Sequence, residues 1–184
     1  MENPAHLFLE RFQQRLQKHR EMADRALAQI DDRAFFHVPR NESNSVAMIV
    51  KHLGGNHVSR WTNFLTSDGE KPNRDRDDEF IIGPDDTRTG LMELWDRGWD
   101  VYFATLASLK DVDLTRTITI RGEPHDVIDA LMRGFGHATH HIGQIVYLCK
   151  LQHPGDWEWM TIPPGGTETF NRMMADRYGK PDST

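Results

Sequence analysis

An all-α chain folded as a four-helix bundle is what the sequence predicts, on three observations. Apolar residues recur at three- and four-residue steps through four separate long stretches. Only one short segment, residues 115–120, alternates like a strand. The 184 residues suit one compact domain, read as spanning the whole chain from 1 to 184, with a core that needs no disulfide.

The first helix is expected over residues 4–30. Leu7, Leu9, Phe12, Leu16, Met22, Ala26, Leu27 and Ile30 keep its spacing, and Pro4 suits its first turn. Asp31, Asp32 and the Val38-Pro39 pair break it. Asn41 to Ser45 offer N-caps for a second helix over about 44–65, striped by Val46, Ile49, Val50, Leu53, His57, Trp61 and Phe64. Gly54 and Gly55 inside it each cost about 1 kcal/mol against alanine, which signals close approach by another helix or a ligand.

Residues 66–86 form a long polar connection, read most simply as solvated surface and long enough to permit a crossover. Asp86 or Thr87 caps a third helix to about residue 109, whose face carries Leu91, Leu94, Trp95, Trp99, Tyr102, Phe103 and Leu106. The β-branched residues 115–120 then form a short strand or extended arm. It leads through Arg121-Gly122-Glu123-Pro124 into a fourth helix over about 124–151, with Pro124 near its start. Pro163-Pro164-Gly165-Gly166 is a loop, and residues 167–178 make a short C-terminal helix.

Charge and composition narrow the function. A net charge of −6 favours solubility and argues against a broad phosphate-binding face, so no nucleic-acid partner is expected. The N-terminus, MENPAHLFLERFQQRLQKHR, lacks an apolar signal core, and no apolar run approaches the length of a membrane span. A cytoplasmic protein without a membrane partner is the expectation. The single cysteine, Cys149, lies in an apolar run and reads as a small core residue. Ten histidines is a high count, and it directs attention to metal-ligand spacing.

His137 and His141 stand four residues apart on the fourth helix, about 40° around its axis, so both imidazoles can reach one ion. His140 points about 100° from His141 and is poorly placed to join them. The pair is not an HExxH motif, because Ala138 follows His137. Both histidines lie on the flank of the apolar face, and so does His52 on the second helix. Flank histidines are commonly half-exposed surface residues. Three of them on two helices can also meet at the edge of a bundle, and three protein ligands with an open position is the make-up of a catalytic zinc site.

The segment Asn44-Ser45-Val46-Ala47-Met48-Ile49-Val50-Lys51-His52-Leu53, with His137 and the later string His140-His141-Ile142-Gly143-Gln144, resembles the two signatures of the DinB/YfiT-like superfamily. The resemblance covers about residues 44–150 and is nearest to a bacterial subfamily of unknown function. It implies a helical bundle holding one divalent ion, zinc or nickel, on His52, His137 and His141. Characterised relatives include enzymes that use a low-molecular-weight thiol. Ile142 departs from the pattern, where arginine often stands before Gly-Gln.

The expected function is therefore a metal-dependent enzyme acting on a small-molecule substrate, with S-transfer from a low-molecular-weight thiol as the leading reaction. A metal-dependent hydrolase and a non-catalytic, metal-stabilised helical module are the alternatives. Asn56, one turn after His52, and Gln144 are candidate cofactor- or substrate-binding residues. Lys51, Arg60 and Arg133 are candidate cations for a charged cofactor, or else solvated surface residues. The apolar faces of the first and third helices suggest a homodimer.

Overall fold

The computed structural model describes residues 3–179. They divide into two compact units, one up to His153 and one from Pro154 onward. The fold is mostly helical: the described residues contain six α-helices and one two-stranded sheet.

In the first unit, α1 (Pro4–Leu27) begins where the Asn3 side chain accepts a hydrogen bond from the Ala5 amide at 3.1 Å. It ends short of the expected residue 30. The amides of Gln29 and Ile30 turn to Ala26 O and Leu27 O in tighter, three-residue bonds. The two aspartates expected to stop the chain also start a new element. Asp31 accepts from the Ala34 amide at 2.8 Å and opens α2 (Asp32–Phe36), which buries Phe35.

Ser45 is the cap chosen for α3 (Val46–Trp61), accepting from the Met48 amide at 3.2 Å. This helix stops before the expected residue 65. Thr62 Oγ1 bonds back to Val58 O at 2.6 Å, and Asn63 adopts a left-handed backbone with φ 50°. Of the two expected caps, Asp86 and Thr87, it is Thr87 that caps α4 (Arg88–Ser108), by accepting from the Gly90 amide.

The expected extended arm is β1 (Thr117–Ile120), and it has a partner the sequence reading lacked. β2 (Glu123–Asp126) pairs with it antiparallel, Thr119 opposite Pro124. Arg121 and Gly122 both have positive φ, 56° and 77°, which is the two-residue turn that matches strand twist. Asp68 fixes this turn: its Oδ1 accepts from Arg121 N and its Oδ2 from Gly122 N, each at 2.8 Å. Pro124 therefore sits in a strand and not at a helix start, which a two-stranded edge tolerates. α5 (Val127–Gln152) begins after it, capped by Asp126.

Four long helices make this unit. Gly54 of α3 lies against Leu94 and Gly98 of α4, and further along Trp61 O accepts from Thr105 Oγ1 at 2.8 Å, so α3 and α4 run parallel. Parallel neighbours require a long connection, which residues 62–87 supply. Arg20 of α1 pairs with Asp96 of α4 at 2.8 Å, and Asp24 accepts from Trp95 Nε1 at 2.9 Å. α1 also packs on α5, through Phe12 and His19 against Phe135. α3 and α5 run antiparallel: His52 meets His137 and His141, while the Trp61 ring covers Gly134. The core between them is built on Leu16, Trp61, Trp95, Trp99, Tyr102 and Leu131, all fully enclosed.

The expected aromatic face of α4 is thus consumed inside the chain. Between α1 and α5, half-buried Leu7, Phe8 and Phe135 and exposed Met132 line a shallow apolar groove. Cys149 is buried, and burial pushes its thiol up to about 12, so it is an inert core residue. No helix among the described residues is long and apolar enough to cross a membrane.

The close approach of α3 and α4 depends on glycine. A Cβ at Gly98 would stand 2.8 Å from Gly54 O and 3.0 Å from Gly54 Cα, backbone atoms that cannot rotate away. Gly98→Ala is expected to lower stability by about 1–3 kcal/mol despite the better helix propensity of alanine. Urea unfolding followed by circular dichroism checks this, and an unchanged or raised midpoint would refute the tight fit.

In the second unit, α6 (Thr167–Tyr178) follows the Pro-Pro-Gly-Gly loop at the expected residues. It ends at Gly179, whose φ of 79° and bond to Ala175 O close the helix.

Candidate metal centre

The site is built from α3, α5 and the connection between α3 and α4. Antiparallel packing of α3 and α5 brings His52 Nε2 to 3.1 Å from His137 Nε2. The three rings of His52, His137 and His141 have centroids 4.7–5.1 Å apart. One nitrogen from each lies within 4.8 Å of the others, so these residues form a group able to hold a metal ion. His140 is exposed and outside the group, as its angle on the helix requires.

The remaining ring nitrogens are braced. His52 Nδ1 donates to Glu79 Oε2 at 2.8 Å, and His141 Nδ1 donates to Gln144 Oε1 at 2.7 Å. Burial raises the Glu79 pKa, but its bonds to His52 and Arg74 outweigh that and hold it below the usual carboxylate range. An ionised carboxylate and an amide oxygen are acceptors, so both Nδ1 atoms carry the proton and both Nε2 lone pairs face the common point. The free imidazoles of His137 and His141 are also neutral. Burial first, and then the field of His141, push His137 down to about 2; burial pushes His141 down to about 4. Neutral, oriented nitrogen donors suit a divalent cation and reject a proton.

Sequence reasoning missed Glu79, Arg74 and Phe80. Glu79 is buried and is gripped by Arg74 through Nε and Nη2, each at 2.7 Å. Arg74 also donates to Glu70 Oε2 at 2.9 Å. The Phe80 ring covers His52 with centroids 4.6 Å apart. Gly55 makes room, because a Cβ there would collide with Glu79 Oε1. The polar connection is therefore not plain solvated surface. Part of it folds back over α3 and buries His52, whose flank position on the helix suggested half-exposure. The only advance signal was Gly55, a helix-interior glycine implying close approach.

The other candidates separate clearly. Gln144 braces His141. Asn56 is buried one turn beyond His52, and its amide makes no hydrogen bond among the described residues. Lys51 is spent on the connection, bonding Ile81 O at 2.8 Å and pairing with Asp86 and Asp78. Arg133 is half-exposed beside Glu123 and His125. Arg60 is buried. Ile142 is buried in the core, where an arginine would have no place.

Fold and site together define a helical protein carrying a buried-to-open three-histidine centre. The chain belongs to the family described as Protein of unknown function (DUF1572), which residues 3–166 match. No curated protein and no solved structure matches the chain.

The Glu79 brace has a measurable consequence. Glu79→Gln keeps the shape but removes the charge that polarises His52, and zinc affinity is expected to fall about 10–100-fold with helical content unchanged. A competitive chelator titration reads this directly, and an unaltered affinity would show that Glu79 only packs.

Proposed function

We propose that this chain is a metalloenzyme of the DinB/YfiT-like four-helix-bundle type, in which His52, His137 and His141 hold one divalent ion, zinc or nickel. The ring of contacts α1–α5–α3–α4 and the parallel α3–α4 pair support the bundle reading. The observation that carries the enzyme reading is asymmetry of exposure. His52 is sealed beneath Phe80 and Glu79, whereas His137 and His141 are half-exposed, so one side of the centre is open to solvent. A centre serving only to staple the fold is normally closed by a fourth protein ligand.

An ion held by three neutral imidazoles keeps its full charge and favours the deprotonated form of a thiol or water beside it. The chain's own groups do the rest. Glu79 and Gln144 fix the imidazole tautomers, Phe80 excludes water from one side, and Asn56 offers an unpartnered amide to whatever enters. The reaction we assign is S-transfer from a low-molecular-weight thiol to an electrophilic small molecule. We place the protein in the cytoplasm and propose a homodimer, now through the α1–α5 groove rather than α4.

Elemental analysis of protein purified without an affinity tag should return about one zinc or nickel per chain. A conjugation screen of several cellular thiols against electrophiles should then give metal-dependent turnover. Turnover of esters with no thiol transfer would convert the assignment to a hydrolase. No turnover and no bound metal would remove it. Sedimentation showing a monomer at micromolar concentration would remove the dimer.

A further inference from the structure

α3 carries His52, Asn56 and Arg60 at steps of four, and α5 carries Arg133, His137 and His141 at the same steps. Residues four apart share a helix face. Because the helices are antiparallel, the two triplets run alongside each other, histidines at one end and guanidinium groups at the other. Eight residues of helix separate the ends by about 12 Å.

At the arginine end the two groups differ: Arg133 has the exposed Glu123 carboxylate 3.6 Å away, whereas Arg60 has no counter-ion among the described residues. Arg60 is only 9 % exposed and forms no hydrogen bond or ion pair among the described residues. Its Nε is sealed from solvent without a partner, which leaves the two terminal nitrogens as the open part of the group. Its stem is held in place: a Cβ on Gly69 would come 2.9 Å from Arg60 Cδ and 3.2 Å from Ile120 Cγ1. The charges it feels are mostly of its own sign. Burial, followed by Arg133 and Arg74, brings its pKa down to about 10. Glu70 opposes them, but Glu70 is already bonded to Arg74 at 2.9 Å and Arg121 at 3.2 Å. Arg60's charge also reaches His137 on the facing helix. Buried charges in proteins are normally paired, so a fixed, enclosed and unpaired guanidinium is a place for an anion from outside.

We propose that Arg60 and Arg133 bind the carboxylate of an elongated ligand whose reacting end lies at the three histidines, so that the site selects anionic thiols or anionic electrophiles over neutral ones. This rests on the three histidines being the reacting end, and it assigns the substrate class of that site.

Two arms test it on the full chain. In the first, metal-free protein is melted in inorganic phosphate or in chloride at equal ionic strength. Wild type should melt several degrees higher in phosphate, and Arg60→Met and Arg133→Gln should lose that difference. Arg133 is half-exposed, so its variant folds even if Arg60→Met does not. In the second, zinc-loaded protein is titrated calorimetrically with ω-mercaptocarboxylates of increasing length and with the matching mercaptoalcohols. The acid should bind at least about tenfold tighter at one length, a difference of about 1.4 kcal/mol, and both variants should erase that preference without weakening the alcohol. Equal binding of acid and alcohol at every length, or a preference that survives both variants, overturns the proposal. Phosphate stabilisation with no carboxylate preference overturns the carboxylate assignment. Failure to load zinc sinks the metal reading alone, because the first arm still reports on the arginines.

Discussion

His141→Ala is expected to reduce zinc affinity by more than about 100-fold while leaving the helical circular dichroism signal in place. The magnitude follows from position. His141 supplies one of three nitrogens at the common point, and even outer partners of such ligands are worth about 10–100-fold. The fold should survive because α5 is anchored by other residues. Val127, Leu131, Ala138, Ile142 and Ile145 are buried on its inner face, whereas His141 is half-exposed at the groove. His140→Ala is the matched control, one residue away but exposed and outside the donor group, and it should bind zinc as wild type does. Competitive chelator titration with parallel circular dichroism separates the outcomes. Retained affinity would show that His141 is not a ligand. Collapse of the helical signal on losing the ion would give the metal a structural task instead.

The helix-borne part of this site is legible in the sequence and the loop-borne part is not, for a physical reason. Helical periodicity fixes angles, so the i, i+4 relation of His137 and His141 and the exclusion of His140 follow from the sequence alone. Caps are local as well: Ser45 and Thr87, each among the candidates the sequence offers, close a bond within three residues. Glu79 reaches His52 across 27 positions, and its acceptance by the site depends on Arg74 and on the missing side chain of Gly55. No periodicity marks such a contact. The hairpin hid for a related reason. Pro124 next to a helix pattern suggests a helix start, but Asp68, far away in sequence, pins the Arg121-Gly122 turn and so commits Pro124 to a strand. The angle of His52 on its helix indicates a flank position but not its burial, because the residues that cover it belong to the connection and not to a helix face.

Without metal, His57, His137 and His141 should make the protein acid-labile as pH falls from about 6 toward 4. His57 lies in the core against Trp99 and Tyr102, and neither of its ring nitrogens has a hydrogen-bond partner among the described residues. Burial, reinforced by His52 and Arg60, pushes it down to about 3; His137 and His141 stand at about 2 and about 4. All three folded values lie below the ordinary histidine value of about 6.5. Between those limits the unfolded chain binds protons that the folded chain refuses. Stability is therefore full above about pH 6.5 and is lost as pH falls toward 4, where the folded site begins to accept protons. Each proton is worth about 1.4 kcal/mol per pH unit. His57 is enclosed and counts in full, whereas half-exposed His137 and His141 can protonate by local opening and count together as about one. The metal-free protein should thus lose about 3 kcal/mol per pH unit between pH 6 and 4, a large part of the stability of an ordinary domain. Urea midpoints measured across that range test the slope. His57→Leu should reduce it by about 1.4 kcal/mol per pH unit and raise stability at pH 7 by removing two unpartnered polar atoms from the core. An identical slope in wild type and His57→Leu would mean that His57 protonates without unfolding, and that the core around Trp99 and Tyr102 opens to water.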